Sequence, residues 1–224
     1  MYPSAVIFDF DGVIVDTEPL HYQAFQKLLN PLNLGFSWDA YVKTYMGFDD
    51  RDAFSEAYRR GGKDLSEKEL EQLVAEKAIV FQEVIKIGVT PYPGVIDLIR
   101  QLHQQKTPLA ICSGALRSDI LPILGQFDIA SCFSRIVTAD DVPRSKPDPT
   151  CYRIAAEQLM AAFPDELTSK DLIIAIEDTP AGISSAKGAE LKVIAVSNSY
   201  PVEYLQQADQ IVASLEELQT GHWF

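Results

Sequence analysis

The chain has 224 residues, 47% of them hydrophobic, enough to bury a full core and to form one large domain or one domain carrying a sizeable insertion. Lys and Arg number 19 against 32 Asp and Glu, and the formal charge of −13 repels nucleic acid and anionic membrane, so a phosphorylated substrate needs a local positive pocket. No apolar run approaches the ~18 residues of a membrane span and no leader pattern is present; the expectation is a cytoplasmic monomer that binds neither membrane nor nucleic acid.

The first predicted element is the apolar run AVIF (5–8), which ends in Asp9-Phe10-Asp11-Gly12. Side chains alternate across a strand, so an extended Asp9 and Asp11 share a face and repel unless something compensates, and a cation is the simplest compensation. Between this run and Pro91 lie about 75 residues without a convincing buried strand, far beyond the roughly dozen-residue minimum of a crossover. They read as a second, helical unit at 16–88, inserted into an α/β domain made of 1–15 and 89–224. Within it, SEKELEQLVAEKAIVFQEVIK (66–86) starts as a helix should, with Ser66 and Glu69 in capping-box spacing and an acidic first turn; its charges read as a solvated face.

After the insertion, YPGVIDLIRQLHQQ (92–105) carries Val95, Leu98, Ile99 and Leu102 at helical spacing behind Pro93-Gly94. The runs PLAIC (108–112), RIVT (135–138), LIIAI (172–176), KVIAV (192–196) and QIVA (210–213) follow, with PTCYRIAAEQLMAAF (149–163) and TPAGISSAKGAE (179–190) as crossover helices. Runs that do not alternate suit strands covered on both faces, which predicts an α/β fold: a Rossmann-like parallel sheet with an inserted helical domain. Cys112, Cys132 and Cys151, odd in number and widely spaced, read as reduced, mostly buried thiols. His103 and His222 read as surface residues, and HWF (222–224) either tucks against the sheet domain or frays.

In open parallel sheets ligands sit beyond the carboxyl ends of the strands. Asp9 to Gly12 follow the first run, Ser113-Gly114 follow PLAIC, Lys146 stands in RSKPDP (144–149), and Glu177-Asp178 follow LIIAI. Taken singly, an acidic pair fits a turn, a Ser-Gly a helix cap and a lysine a solvated charge. Their order and spacing say more. On DFDGV (9–13), CSG (112–114), KPDP (146–149) and EDTPAG (177–182), the chain resembles, over nearly its whole length, the haloacid dehalogenase superfamily, in the branch of β-phosphoglucomutases and small sugar-phosphate phosphatases.

The resemblance implies a phosphatase acting on a small phosphorylated metabolite. Asp9 would be the nucleophile that forms an acyl phosphate, and Asp11 the acid and base. It also implies Mg2+ held by Asp9, the main-chain carbonyl of Asp11 and Asp178, with Glu177 a neighbour or variable ligand. Ser113, Gly114 and Lys146 would bind the phosphoryl group. The insertion would act as a cap that selects the leaving group, with Thr17, Glu18, His21, Lys77 and, in GFDDRDAF (47–54), Arg51 as candidates. A mutase, the alternative, needs a second phosphate site. The resembling mutases place Ser-Lys-Asn shortly after the second-motif serine and an arginine in the cap loop, whereas this chain has Ser113-Gly114-Ala115-Leu116-Arg117 and Asp50. Arg51 and Arg117 are the residues able to rebuild that site. A phospho-acceptor signalling module fits poorly, because its domain is shorter and its aspartate does not head the first strand with another two positions on. An idle binding protein fits poorly because the polar set is intact.

Overall fold

A computed structural model describes residues 3–46, 48–221 and 223. In chain order the strands are β1 (Ala5–Phe8), β2 (Val15–Asp16), β3 (Thr90–Pro91), β4 (Leu109–Cys112), β5 (Arg135–Val137), β6 (Ile173–Glu177), β7 (Lys192–Val196) and β8 (Gln210–Val212). The helices are α1 (Glu18–Leu29), α2 (Trp38–Ala40), α3 (Asp50–Arg60), α4 (Glu67–Ile85), α5 (Val95–Gln104), α6 (Arg117–Gln126), α7 (Thr150–Ala162), α8 (Pro180–Gly188) and α9 (Glu216–Gln219). Two compact units result, Met1–Asp16 with Thr90–Phe224, and Thr17–Val89. Among the described residues no helix is long and apolar enough to cross a membrane.

The first unit is built on a six-stranded sheet in the order β5-β4-β1-β6-β7-β8, with every pair parallel. β1 is central, aligned with β4 (Val6↔Leu109) on one side and β6 (Ile7↔Ala175) on the other. Strand order reverses beside β1, which makes the carboxyl end of β1 the switch point where such sheets bind ligands. Every residue of β1, β4 and β6 is buried, which is why these runs do not alternate. One face packs Ala5, Ile7, Ala110, Ala175 and Val193 against Tyr152 and Leu159 of α7 and Ile183 of α8. A two-residue antiparallel pair, β2 with β3 (Val15↔Pro91, Asp16↔Thr90), is too short to leave an apolar run in the sequence. His103 is exposed and Trp223 buried, whereas His222 and Phe224 lie outside the described residues.

The second unit is helical, closed around Phe25, Leu29, Tyr41, Tyr45, Phe54 and Leu73. Phe36 stacks on Tyr45 at 4.0 Å and Phe25 meets Phe54 edge-on at 5.2 Å, geometries that aromatic pairs favour. α4 begins with the capping box: Ser66 and Glu69 satisfy each other's backbone amides.

Candidate active site

Three buried carboxylates converge at the carboxyl ends of β1 and β6. Asp9, Glu177 and Asp178 offer oxygens that lie within 4.8 Å of one another. Into them reaches Lys146, whose Nζ donates to Asp9 Oδ1 at 2.7 Å, Glu177 Oε1 at 2.6 Å and the Cys112 carbonyl at 3.0 Å, and lies 4.9 Å from the centre of the Tyr152 ring. Three acids thus face one ammonium. Burial, Glu177 and Asp11 together push the Asp9 carboxyl up to about 7 against the pull of Lys146. Burial also raises Asp178 well above the usual carboxylate range, with Asp9 and Glu177 adding to it. For Lys146, burial works against the charge, but Asp9 and Glu177 outweigh it and hold the ammonium well above its ordinary pKa.

Glu177 is the most heavily held of the three. Its Oε1 accepts from Lys146 and, at 2.8 Å, from the Tyr152 hydroxyl; its Oε2 accepts from the Asp178 amide at 3.2 Å and Thr179 Oγ1 at 3.3 Å. Thr179 in turn caps α8 through the Gly182 amide, and a Cβ at Gly182 would overlap the Glu177 carboxylate. Its Oε1 anchors Lys146, and Glu177 also belongs to the trio of carboxylates able to hold a metal ion. Asp178 is the opposite case: Ser199 Oγ donates to its Oδ2, while its Oδ1 is buried with no hydrogen-bond partner. A buried, unpaired carboxylate oxygen is costly, and a hard divalent cation with oxygen ligands fits this all-carboxylate set in both chemistry and charge.

The turn after β1 carries Asp11, half-buried, and Gly12, whose φ of 82° lies in the left-handed region. A Cβ on Gly12 would also come within 2.6 Å of Asp178 Cγ, so glycine is required twice over. After β4, Ser113 is buried with its hydroxyl accepting from the Ala115 amide at 2.9 Å, and exposed Gly114 follows. Ser113, Gly114, Lys146 and Cys151 line a small cavity of about 70 Å³. The three cysteines are free and buried.

Arg117 is committed to Asp141 Oδ2 at 2.7 Å and the Ile136 carbonyl at 2.8 Å, and Arg51 to Glu67. Each guanidinium is therefore engaged by an acidic partner within its own unit. Lys77 corrects the solvated-face reading of α4: it is 2% exposed, donates to Asp50 Oδ1 and His21 Nδ1, each at 2.7 Å, and sits over the rings of Phe25 and Phe81. Burial and the adjacent ammonium hold His21 well below its ordinary pKa, so the ring is neutral and its Nδ1 accepts. Thr17 is buried, and Glu18 accepts from the Tyr41 hydroxyl. Tyr152, Asn198 and Ser199 are polar contributors that the sequence motifs did not mark.

A parallel sheet with an aspartate at its switch point, a lysine across from it and a carboxylate cluster suited to a divalent cation define a hydrolase of phosphoryl-transfer type. Residues 6–196 match the family model described as haloacid dehalogenase-like hydrolase, and the chain belongs to that family. Among its relatives, a phosphorylated carbohydrates phosphatase of Thermotoga maritima is 29% identical over 193 residues, covering 85% of this chain and 83% of that one. A (DL)-glycerol-3-phosphatase of Arabidopsis thaliana is 30% identical over 226 residues, covering 97% and 72%. The β-phosphoglucomutase of Clostridium difficile shares the fold, with a TM-score of 0.81 at 24% identity over 97% of this chain and 93% of that one.

Proposed function

We propose that this hydrolase is a magnesium-dependent phosphatase of a small phosphorylated metabolite, a sugar phosphate or similar polyol phosphate, working through an aspartyl-phosphate on Asp9. The observation that carries the reading is the pairing of Asp9, at the switch point, with Lys146 at 2.7 Å beside the unpartnered Oδ1 of Asp178. Asp9 attacks phosphorus, its carboxylate oxygen forming the new P–O bond as the bond to the leaving oxygen breaks, and Asp11 gives that oxygen a proton. Asp11 then takes a proton from water as the water oxygen attacks phosphorus, inorganic phosphate departs and Asp9 is regenerated. Lys146 and Ser113 orient the phosphoryl oxygens. Asp9, Asp178 and the Asp11 carbonyl would hold Mg2+, which supplies charge neutralisation to the phosphoryl group in transfer.

The named phosphatases among the relatives and the committed state of Arg51 and Arg117 favour hydrolysis over mutase action. The helical unit, with Thr17, Glu18, His21, Arg51 and Lys77, is proposed to select the alcohol. Free, buried thiols suit a reducing compartment, and a cytoplasmic monomer is the proposed working form. Released phosphate across a panel of phosphorylated metabolites, with Asp9→Asn as control, tests the reading. Multiple turnover should require both Asp9 and magnesium, and turnover unchanged in Asp9→Asn refutes it. With β-glucose 1-phosphate and a trace of the 1,6-bisphosphate, isomerisation without phosphate release would establish the mutase instead.

A further inference from the structure

We infer that the loop after β7, residues 197–200, is part of the metal centre, with Ser199 and Asn198 as positioning residues that set its geometry. The inference rests on the reading that Asp9 and Asp178 hold a divalent cation. Ser199 Oγ donates to Oδ2 of Asp178 and leaves Oδ1, buried and without a hydrogen-bond partner, as the oxygen presented to the ion. The carboxylate also lies close against the Gly12 turn: a Cβ at Gly12 would come within 2.6 Å of Asp178 Cγ and 2.8 Å of Ser199 Oγ. Asn198, the next residue along, donates its Nδ2 to the Gly12 carbonyl at 2.7 Å. That turn carries Asp11, whose carbonyl is the third protein oxygen of the proposed site. Two neighbouring side chains of one loop therefore fix the two segments that bring the ligands, one by its carboxylate and one by its backbone. Ligands fixed in this way meet an ion without reorganising, and losing such a contact typically weakens metal affinity by about 10- to 100-fold.

The test is metal binding without substrate: Mn2+ by electron paramagnetic resonance and Mg2+ by calorimetry, on wild type, Ser199→Ala, Ser199→Thr, Asn198→Ala and Asp178→Asn. Ser199→Ala and Asn198→Ala should bind at least about tenfold more weakly, whereas Ser199→Thr, which keeps the hydroxyl, should stay within about threefold of wild type. Urea unfolding of the metal-free proteins separates lost affinity from lost fold, and in phosphate release the Ser199→Ala defect should shrink as magnesium is raised. Ser199→Ala binding metal as wild type does, while Asp178→Asn does not, overturns the role of the loop and leaves the metal reading intact. Wild-type affinity in Asp178→Asn, or no binding by wild type, overturns the metal reading and this inference with it.

Discussion

Gly182→Ala isolates the anchoring of Lys146 by Glu177. Gly182 lies in α8 with an ordinary helical φ, so the backbone accepts alanine, and in an exposed helix the change would add about 1 kcal/mol of stability. Here the new Cβ overlaps the Glu177 carboxylate, which must retreat by about 1 Å or more at an overpacking cost of about 1–3 kcal/mol. Glu177 is fully buried, and its bonds from Lys146 at 2.6 Å and Tyr152 at 2.8 Å stretch past hydrogen-bonding reach on such a shift. Hydrogen bonds to a charged group contribute about 1.5–3 kcal/mol each. Part is recovered by relaxation and helix propensity, and the net expectation is a loss of about 2–4 kcal/mol with a fall in phosphate release. Gly125→Ala is the control, since Gly125 is exposed in α6 and a Cβ there meets nothing within 4 Å; it should gain up to about 1 kcal/mol. Urea unfolding of the metal-free proteins, followed by far-ultraviolet circular dichroism, reads both. A Gly182→Ala midpoint equal to or above wild type refutes the reasoning.

Tyr152→Phe removes only the hydroxyl that serves Glu177 and should cost about 1.5–3 kcal/mol in the same urea assay, and a loss of a few tenths contradicts the bond. Asp9, at about 7 in the metal-free fold against 3.8 ordinarily, stabilises fully below the unfolded value and less as pH rises through about 7; Asp178 is shifted in the same direction. Magnesium competes with those protons, so the rise in Tm that it produces should be larger at pH 8 than at pH 5.5, and equal rises contradict the metal site. Lys77→Ala leaves Asp50 and His21 without their shared donor and should destabilise the helical unit by about 2–4 kcal/mol. Lys77→Met should lose less, because it keeps the stem between Phe25 and Phe81; equal losses in urea unfolding refute the packing role.

What could be read from the sequence follows from which contacts are local. A strand covered on both faces is apolar at every buried position, so 5–8 and, behind the exposed Lys192, 193–196 were legible as they stand. The run at 172–176 shifts by one residue because Glu177, though charged, continues the ladder opposite Ala195. Asp9, Ser113 and Asp178 show as polar residues following apolar runs. Tyr152 does not, since an aromatic among Cys151, Ala155 and Leu159 has the pattern of an ordinary core residue, and its hydroxyl partner is 25 residues away. Asn198 and Ser199 stand in SNSY, a composition that turns use generally. Lys77 has a charged residue's sequence signature and a core residue's burial, and only the distant Asp50 and His21 explain it.

The short ladder that pairs Asp16 with Thr90 gives the chain a single gateway. Opposed residues of an antiparallel pair stand about 5 Å apart, a gap that a two-residue hairpin turn closes. Everything from Thr17 to Val89 is thus a tethered excursion, and none of the six parallel strands lies within it. A duplicated gene can trade that stretch whole for another, in one recombination event with both junctions at the gateway, and keep Asp9, Ser113, Lys146 and Asp178 on the sheet that already positions them.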